Sequence, residues 1–104
     1  MENIGESNSV IIGGAIVSVP EYSHEIFEEK FYRFNIETKR LSNSSDVLPV
    51  IISERLIDLE NLKVGEYIKL EGQFRSYNQQ TEGRSKLVLS IFAREIELNQ
   101  TEEV

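Results

Sequence analysis

A regular alternation of apolar and polar residues predicts two half-buried strands in this chain. In the first, residues 30–41, the residues that share the inward face are Tyr32, Phe34, Ile36 and Thr38. In the second, which begins at Tyr67, the inward residues are Ile68, Leu70, Gly72 and Phe74. Core packing is therefore the expected role of Phe34 and Phe74.

Apolar runs predict three further strands. Residues 8–19 are rich in β-branched side chains, and the adjacent Gly13 and Gly14 indicate a bend or bulge there. Residues 47–53 form a short apolar run, in which Pro49 indicates an edge or a strand end. The last strand covers residues 84–98. We expect residues 20–29 to form a polar turn and residues 78–83 a hairpin loop.

One short helix is predicted between the third and fourth strands. Leu56, Leu59 and Leu62 lie three residues apart, and Ser53 stands where an N-cap is expected. Five strands with a helix in this position predict an all-β fold, the five-stranded oligonucleotide-binding (OB) barrel. That fold binds oligonucleotides or oligosaccharides on the face of its second and third strands.

Composition is consistent with one soluble domain. The 104 residues are 39% hydrophobic and contain no cysteine, so a disulfide framework and a cysteine-held metal are excluded. We expect residues 1–104 to form a single domain with an ordered core over about 8–98 and acidic, polar ends. The start lacks the basic residues of a secretory signal, and the longest apolar run, Val10 to Val17, is too short to span a bilayer. A cytoplasmic protein without membrane contact is expected.

The net charge of -7 argues at first against a nucleic-acid partner. The charges, however, are unevenly distributed. All 11 lysines and arginines fall between Lys30 and Arg94, where 8 carboxylates accompany them, so this segment carries +3. A mildly basic middle between acidic ends is compatible with a binding face, and equally with an ordinary solubilising surface.

Both faces of the first and last strands carry apolar side chains, although a small barrel has one interior. Ile11 and Val17 stand beside Ile12 and Ile16 in the first strand. The additional apolar face predicts an interface in a homo-oligomer, either a dimer or a tetramer, although long strands wrapping around the barrel would also explain it.

The residues that catalysis requires are missing. The one histidine, His24, lies beside Ser23 and Glu25 in a polar segment, and adjacent residues do not form a triad. No phosphate-binding glycine loop or paired metal-ligand motif occurs, and the glutamates are not spaced like a calcium loop. We therefore expect no enzymatic activity, no metal and no cofactor.

Four segments resemble the bacterial single-stranded DNA-binding protein family, including its short relative, primosomal replication protein N. They occur in the family's order and are Asn8-Ser9-Val10-Ile11-Ile12-Gly13-Gly14, Phe34-Asn35-Ile36-Glu37-Thr38-Lys39-Arg40, Asp46-Val47-Leu48-Pro49-Val50, and Lys63-Val64-Gly65 together with Leu70-Glu71-Gly72-Gln73-Phe74-Arg75-Ser76-Tyr77. The resemblance departs from the family in two respects. This chain has no Trp for base stacking, and it stops at Val104 without the long tail and acidic tip through which family members recruit other proteins.

The resemblance implies sequence-independent binding of single-stranded DNA in replication, recombination or repair, with replication or primosome proteins as further partners. Bases would stack on aromatic rings while basic side chains follow the phosphates. The candidate binding residues are Phe31, Arg33, Lys39, Arg40, Tyr67, Lys69, Arg75, Tyr77, Arg84, Lys86 and Arg94. The alternative is an OB-type protein-interaction module of a primosome-like assembly with little affinity for DNA.

Overall fold

A computed structural model describes residues 8–98, apart from the side chains of residues 77 and 79–81. The predicted acidic ends, residues 1–7 and 99–104, lie outside this description. The chain folds into six strands and one 3-10 turn. In order, these are β1 (Val10–Ile16), β2 (Glu21–Ile26), β3 (Glu29–Lys39), β4 (Ser45–Ser53), the 3-10 turn (Leu59–Asn61), β5 (Tyr67–Thr81) and β6 (Arg84–Leu98).

Five of the strands close into a barrel, which confirms the predicted OB-fold. The strand order is β1-β5-β6-β4-β3-β2, and β1 also pairs with β3. Because β1 hydrogen-bonds to both β5 and β3, the five strands other than β2 form a closed ring. All neighbours are antiparallel except β4 and β6, which pair in parallel at Val50 with Ile91 and Ile51 with Phe92. Pro49 lies in the middle of β4 rather than at a strand end, but it precedes the pairing with β6, so it stands on an open edge of the strand.

Four residues of the barrel interior, Phe34, Ile36, Ile68 and Leu70, are inward residues that the alternation predicts. The largest fully buried side chains are Phe34, Ile16, Ile36, Ile52, Ile68, Leu70, Ile91 and Val50. Burying each of them stabilises the fold by roughly 1.5–3 kcal/mol. Leu62 closes the cluster from the segment between β4 and β5. The described residues contain no helix long and apolar enough to cross a membrane.

Two glycines allow strands to approach each other closely. A Cβ on Gly14 would lie 2.6 Å from the carbonyl oxygen of Glu37, at the point where β1 leaves β5 and pairs with β3. A Cβ on Gly72 would lie 2.2 Å from the carbonyl oxygen of Phe92. Gly72 faces a β-bulge, where β6 carries one additional residue, Arg94. The bend predicted at Gly13 and Gly14 is thus the site of barrel closure.

The predicted helix is a single 3-10 turn. Its N-cap is Asp58, whose carboxylate accepts from the backbone N–H of Glu60. Ser53, the predicted N-cap, instead donates to Glu29 and accepts from the N–H of Arg55. Side chains three residues apart share a face in a 3-10 helix, so the spacing of the three leucines does not require an α-helix. The three leucines pack in or against the core.

Two hairpins are longer than predicted. The segment expected to be a polar turn contains β2, which is exposed throughout and joins β3 through the two-residue turn Phe27-Glu28. The predicted loop over 78–83 is reduced to Glu82-Gly83, because β5 continues to Thr81. All four turn residues have positive φ, between 49° and 78°, as the type I′ hairpin turn requires. Phe27-Glu28 lacks the Asn or Gly that marks such turns, so the sequence pattern does not indicate it.

The extension of β5 and β6 also changes the environment of Phe74. This residue points toward the barrel side as predicted, but it is 38% exposed and outside the core. The pairing of β1 with β5 ends at Gly72, so Phe74 lies past the end of β1. There the side chain of Asn8 replaces a strand, donating to the carbonyl of Phe74 at 2.9 Å and accepting from its N–H at 3.1 Å.

Candidate nucleic-acid interface

Strand pairing places one row of side chains across the outer face of the barrel. Arg33 on β3 pairs with Ile51 on β4, Ile51 with Phe92 on β6, and Phe92 with Gln73 on β5. Cross-strand partners lie on the same side of a sheet, so these residues line one continuous surface. The β2–β3 hairpin borders it on one side and the β5–β6 hairpin on the other.

Three rings form the centre of this surface. The Phe92 ring lies 5.6 Å from that of Phe31, which in turn stacks on His24 with 4.8 Å between centroids and an interplanar angle of 7°. The guanidinium carbon of Arg75 lies 4.1 Å above the centre of the Phe92 ring, a cation–π contact. Phe92 therefore connects the aromatic side chains of β2 and β3 to the basic side chain of β5.

A hollow opens on each side of Phe92, and arginines line both. One, of about 390 Å³, is lined by His24, Arg33, Ile51, Arg75, Ser90 and Phe92. The other, of about 420 Å³, is lined by Glu29, Phe31, Ser53, Arg55, Leu56, Phe92, Ala93 and Arg94. We call the two hollows together the Phe92 groove. Its lining combines apolar side chains with four arginines, of which Arg55 is ion-paired with Glu29 at 3.7 Å. Aromatic rings beside cations are the combination on which single strands are held.

Four predicted site residues meet in or beside this groove: Phe31, Arg33, Arg75 and Arg94. Phe31 requires a correction, because it was expected to offer an open ring. The ring is on the predicted outer face but is only 7% exposed, since His24 stacks on it and Phe92 lies alongside. Phe92, which the sequence pattern does not place, is the less buried of the two phenylalanines.

The β5–β6 hairpin carries two more of the predicted cations. Arg84 and Lys86 are exposed on β6, and Lys86 pairs with Gln79 on the same face as Arg75. Tyr77 pairs with Val88 on this face as well, but its side chain lies outside the described residues, so its predicted stacking role remains a prediction.

Tyr67 and Lys69 lie away from the Phe92 groove, at the start of β5 beside β1. Lys69 lines a shallow hollow with Glu71, Glu95 and Glu97. Three carboxylates around one lysine oppose phosphate binding. The alternation in β5 correctly predicts that these residues face outward, but the barrel turns this end of the strand toward a different surface.

Lys39 and Arg40 lie at the far end of β3, beside the turn to β4. Lys39 is exposed. Arg40 donates to both carboxylate oxygens of Asp46, from Nε at 2.9 Å and from an Nη at 2.6 Å. This hydrogen bond lowers the pKa of Asp46 and, together with the charge of Asp46, raises the pKa of Arg40. Arg40 therefore ties its own turn together rather than presenting a free guanidinium.

Pattern analysis missed His24, Ile51, Arg55 and Phe92 among the residues that line the groove. His24 falls in a segment expected to be a turn, and Ile51 belongs to an apolar run whose two faces cannot be told apart by periodicity. The parallel pairing of β4 with β6 brings Ile51 and Phe92 together from 41 residues apart, and no local signal in the chain indicates that pairing.

The closed barrel and the Phe92 groove define a protein of the OB-fold class. The structure is similar to the dimeric N-terminal domain of PriB protein from Thermoanaerobacter tencongensis, with 44% sequence identity, a TM-score of 0.77 and coverage of 90% of this chain and 98% of that one. The chain therefore belongs to the PriB family of OB-fold proteins, as its resemblance to primosomal and single-stranded DNA-binding proteins predicts.

Two more distant structures share the fold. The small single-stranded DNA-binding protein from Streptomyces coelicolor has 17% identity and a TM-score of 0.68, with coverage of 95% of this chain and 96% of that one. The Plasmodium falciparum SSB, solved in complex with single-stranded DNA, has 15% identity and a TM-score of 0.75, with coverage of 95% and 100%. No family model matches the chain, and no curated protein does.

Proposed function

We propose that this protein binds single-stranded DNA in the Phe92 groove without regard to base sequence. The observation that carries the proposal is a ring at the centre of a four-arginine groove, with Arg75 4.1 Å above it. The 44% identity to a PriB domain supports it. So does the shared fold with an SSB that was solved with single-stranded DNA.

The binding mechanism follows from the two flat surfaces at the groove centre. Arg guanidinium planes and aromatic rings both accept stacked bases. Bases would stack on the Arg75 and Phe92 planes, while Arg33 and Arg94 on either side hold the phosphates. Arg84 and Lys86 extend this basic track along the β5–β6 hairpin. Because every base has a π-face, such a groove discriminates little between sequences.

We further propose that the protein acts by binding alone, without catalysis or a cofactor. One face of the His24 ring stacks on Phe31, and its Nδ1 is hydrogen-bonded with the Ser23 hydroxyl. Among residues 8–98, no three potential ligands are close enough to hold a metal ion. Replication, recombination or repair in the cytoplasm is the setting that this activity fits.

A homodimer formed through β1 is part of this proposal. Among the described residues, the side of β1 that faces β3 pairs only at Ala15 and Ile16, which leaves the edge of Val10–Gly14 open. Ile11 on this strand is 65% exposed. An open apolar strand edge favours pairing with another strand, and the similar PriB domain was solved as a dimer. Light scattering of the protein and of an Ile11→Glu variant would test this, with a monomeric variant as the expected result.

Fluorescence polarisation tests the binding itself. A labelled oligo(dT) of about 20 nucleotides should bind most tightly at low salt, because its affinity depends on released counterions. A duplex of the same length is the control and should bind more weakly. If oligo(dT) fails to bind at low salt, the proposal is wrong, and the alternative protein-interaction module becomes the better interpretation.

A further inference from the structure

A β-bulge in β2 directs His24 toward the Phe92 groove. Tyr22 of β2 pairs with Tyr32 of β3. The next pair along joins His24 to Phe31, so Ser23 is an additional residue between the two pairs. Bulges of this kind redirect side chains at sheet edges, and β2 is an edge strand. As a result, His24 lies on the groove side of the hairpin, whereas Tyr22 contacts the ring of Tyr32 on the other side.

The His24 ring is held in place but keeps one face and one nitrogen open. Its other face stacks on Phe31, with 4.8 Å between centroids and 7° between planes. The Ser23 hydroxyl is hydrogen-bonded with Nδ1 at 2.9 Å. Within residues 8–98, no second ring stacks on His24, and no group is hydrogen-bonded to its Nε2. The side chain is exposed, so a ligand in the groove can reach both.

Two arginines share a hollow with His24. Arg33 comes from β3 and Arg75 from β5, whereas the residues that β4 and β6 add to this hollow are uncharged. A proton on the His24 ring would therefore add a third cation to the hollow. Clustered cations of this kind are what the phosphates of a nucleic acid bind.

The carboxylates of the surrounding strands do not line this hollow in the described part of the chain. Glu21 pairs with Arg33 on the far side of His24, and Glu25 points to the opposite face of the hairpin with its partner Lys30. Glu29 lies on the groove side but accepts from Ser53 and pairs with Arg55. A phosphate in this hollow would thus meet no competing carboxylate in its lining.

We propose that His24 is a further contact for single-stranded DNA and that a proton on its ring strengthens this contact. A base would stack on the open ring face, since histidine is one of the side chains on which unpaired bases stack. The Nε2–H would donate to a phosphate oxygen. Histidine changes its charge between about pH 5 and 8, so the protein should hold single strands more tightly in mild acid. This inference rests on the single-strand binding proposed above.

Titrations with oligo(dT) at about pH 6 and about pH 8 test the effect of the charge, because the chain has one histidine and no cysteine. The unmodified protein should bind about fivefold more tightly at the lower pH, the upper range for an ion pair that water reaches. The salt dependence of log affinity should also be steeper there, by up to about 0.7 for one added phosphate contact. His24→Phe keeps a ring that cannot be charged, so both differences should disappear.

Two further variants separate position from ring. Tyr22→His, combined with His24→Phe, places a histidine on the same strand but on the side away from the groove, and it should not restore the pH dependence. His24→Ala removes the ring and should bind about tenfold more weakly than His24→Phe at both pH values, because one stacked base is lost. Equal affinities of these two variants would contradict the stacking. Thermal melts establish whether each variant is folded.

Nuclear magnetic resonance follows the ring directly, because a single histidine gives one set of imidazole signals. If the charged ring binds the strand more tightly, the bound strand must in turn favour the charged ring. The pH midpoint of these signals should therefore rise when oligo(dT) is added. An unchanged midpoint in a protein that binds oligo(dT) would overturn the proposal.

The two proposals fail in different ways. If oligo(dT) binds at neither pH, the single-strand binding is wrong, and the role of His24 is wrong with it. If oligo(dT) binds equally at both pH values, or if His24→Phe keeps the pH dependence, only the role of His24 is wrong.

Discussion

The β2–β3 and β5–β6 hairpins have the same kind of turn and opposite chemistry. Each ends in two residues of positive φ, Phe27-Glu28 in one and Glu82-Gly83 in the other. Between residues 21 and 30, the first hairpin carries four carboxylates and one lysine. Between residues 73 and 89, the second hairpin carries one glutamate and three basic residues, Arg75, Arg84 and Lys86. The backbone allows either hairpin to border the groove, and the side chains decide which one can meet phosphates.

This difference explains how a chain with a net charge of -7 can hold an anionic ligand. Within a Debye length of about 10 Å at 0.1 M salt, local charges outweigh distant ones. A strand in the Phe92 groove would lie against the four arginines there and against Arg84 and Lys86 farther along the β5–β6 hairpin. On the other side of the groove, the carboxylates of the β2–β3 hairpin would repel the DNA strand.

The largest effect is expected from removing the cations of the β5–β6 hairpin. Arg75→Ala, Arg84→Ala and Lys86→Ala together should weaken oligo(dT) binding about a hundredfold at low salt. They should also flatten the dependence of log affinity on log salt by about 1.4, near 0.7 for each of the phosphate contacts of Arg84 and Lys86. The matched variant replaces Glu21, Glu25 and Glu28 by Ala on the other hairpin and should bind slightly more tightly. Polarisation titrations over a salt series measure both, and similar losses in both variants would remove the distinction between the hairpins.

A smaller loss is expected from the ring between the two hairpins. Phe92→Ala should weaken binding about tenfold, because one stacked base contributes roughly 1–3 kcal/mol. Phe92→Tyr is the control and should bind almost normally, since it keeps the ring. Thermal melts of both variants show whether the barrel is intact. A Phe92→Ala protein with a normal melt and normal affinity would exclude this ring from the site.

The turns themselves are expected to differ in stability. Replacing Phe27-Glu28 by Asn-Gly should stabilise the protein by about 1 kcal/mol, because both residues tolerate positive φ. For a domain of this size, that raises the melting temperature by roughly 4–8 °C. Glu82→Asn should give a smaller increase in melting temperature, since the other residue of that turn, Gly83, already adopts positive φ without strain. Equal increases, measured by circular dichroism, would show that the Phe27 turn is not the more strained one.

Local patterns predicted the barrel, because its interior depends on alternation within each strand. Phe34, Ile36, Ile68 and Leu70 are buried as their spacing predicts, and Gly14 allows the close approach of strands at the predicted bend. The groove was harder to predict, since it depends on pairing between distant strands. Phe92 and Ile51 meet across a parallel pair, and β2, which brings His24 onto Phe31, ends at Phe27-Glu28 without the usual turn residues. Strand periodicity correctly predicted that cations such as Lys69 face outward. It could not predict which outer surface they reach, because the curvature of the sheet determines that.

The smallest effect is expected at the β3–β4 turn, where Arg40 was a predicted DNA contact. Because this guanidinium is held by Asp46, Arg40→Ala should change oligo(dT) affinity by less than about twofold. A loss of affinity as large as that from replacing a groove arginine would return Arg40 to the binding site.

The pH dependence of this pair has a definite sign. The hydrogen bond from Arg40 lowers the pKa of Asp46 in the fold, so the pair stabilises the protein above the ordinary Asp pKa of about 3.9 and loses that contribution as pH falls through the lowered value. The melting temperature of Asp46→Asn should therefore lie slightly below that of the unmodified protein at neutral pH, and the difference should vanish in acid. Both side chains are well exposed, so solvent screening keeps this difference small. A difference that persists below the lowered pKa would mean that Asp46 acts through something other than its charge.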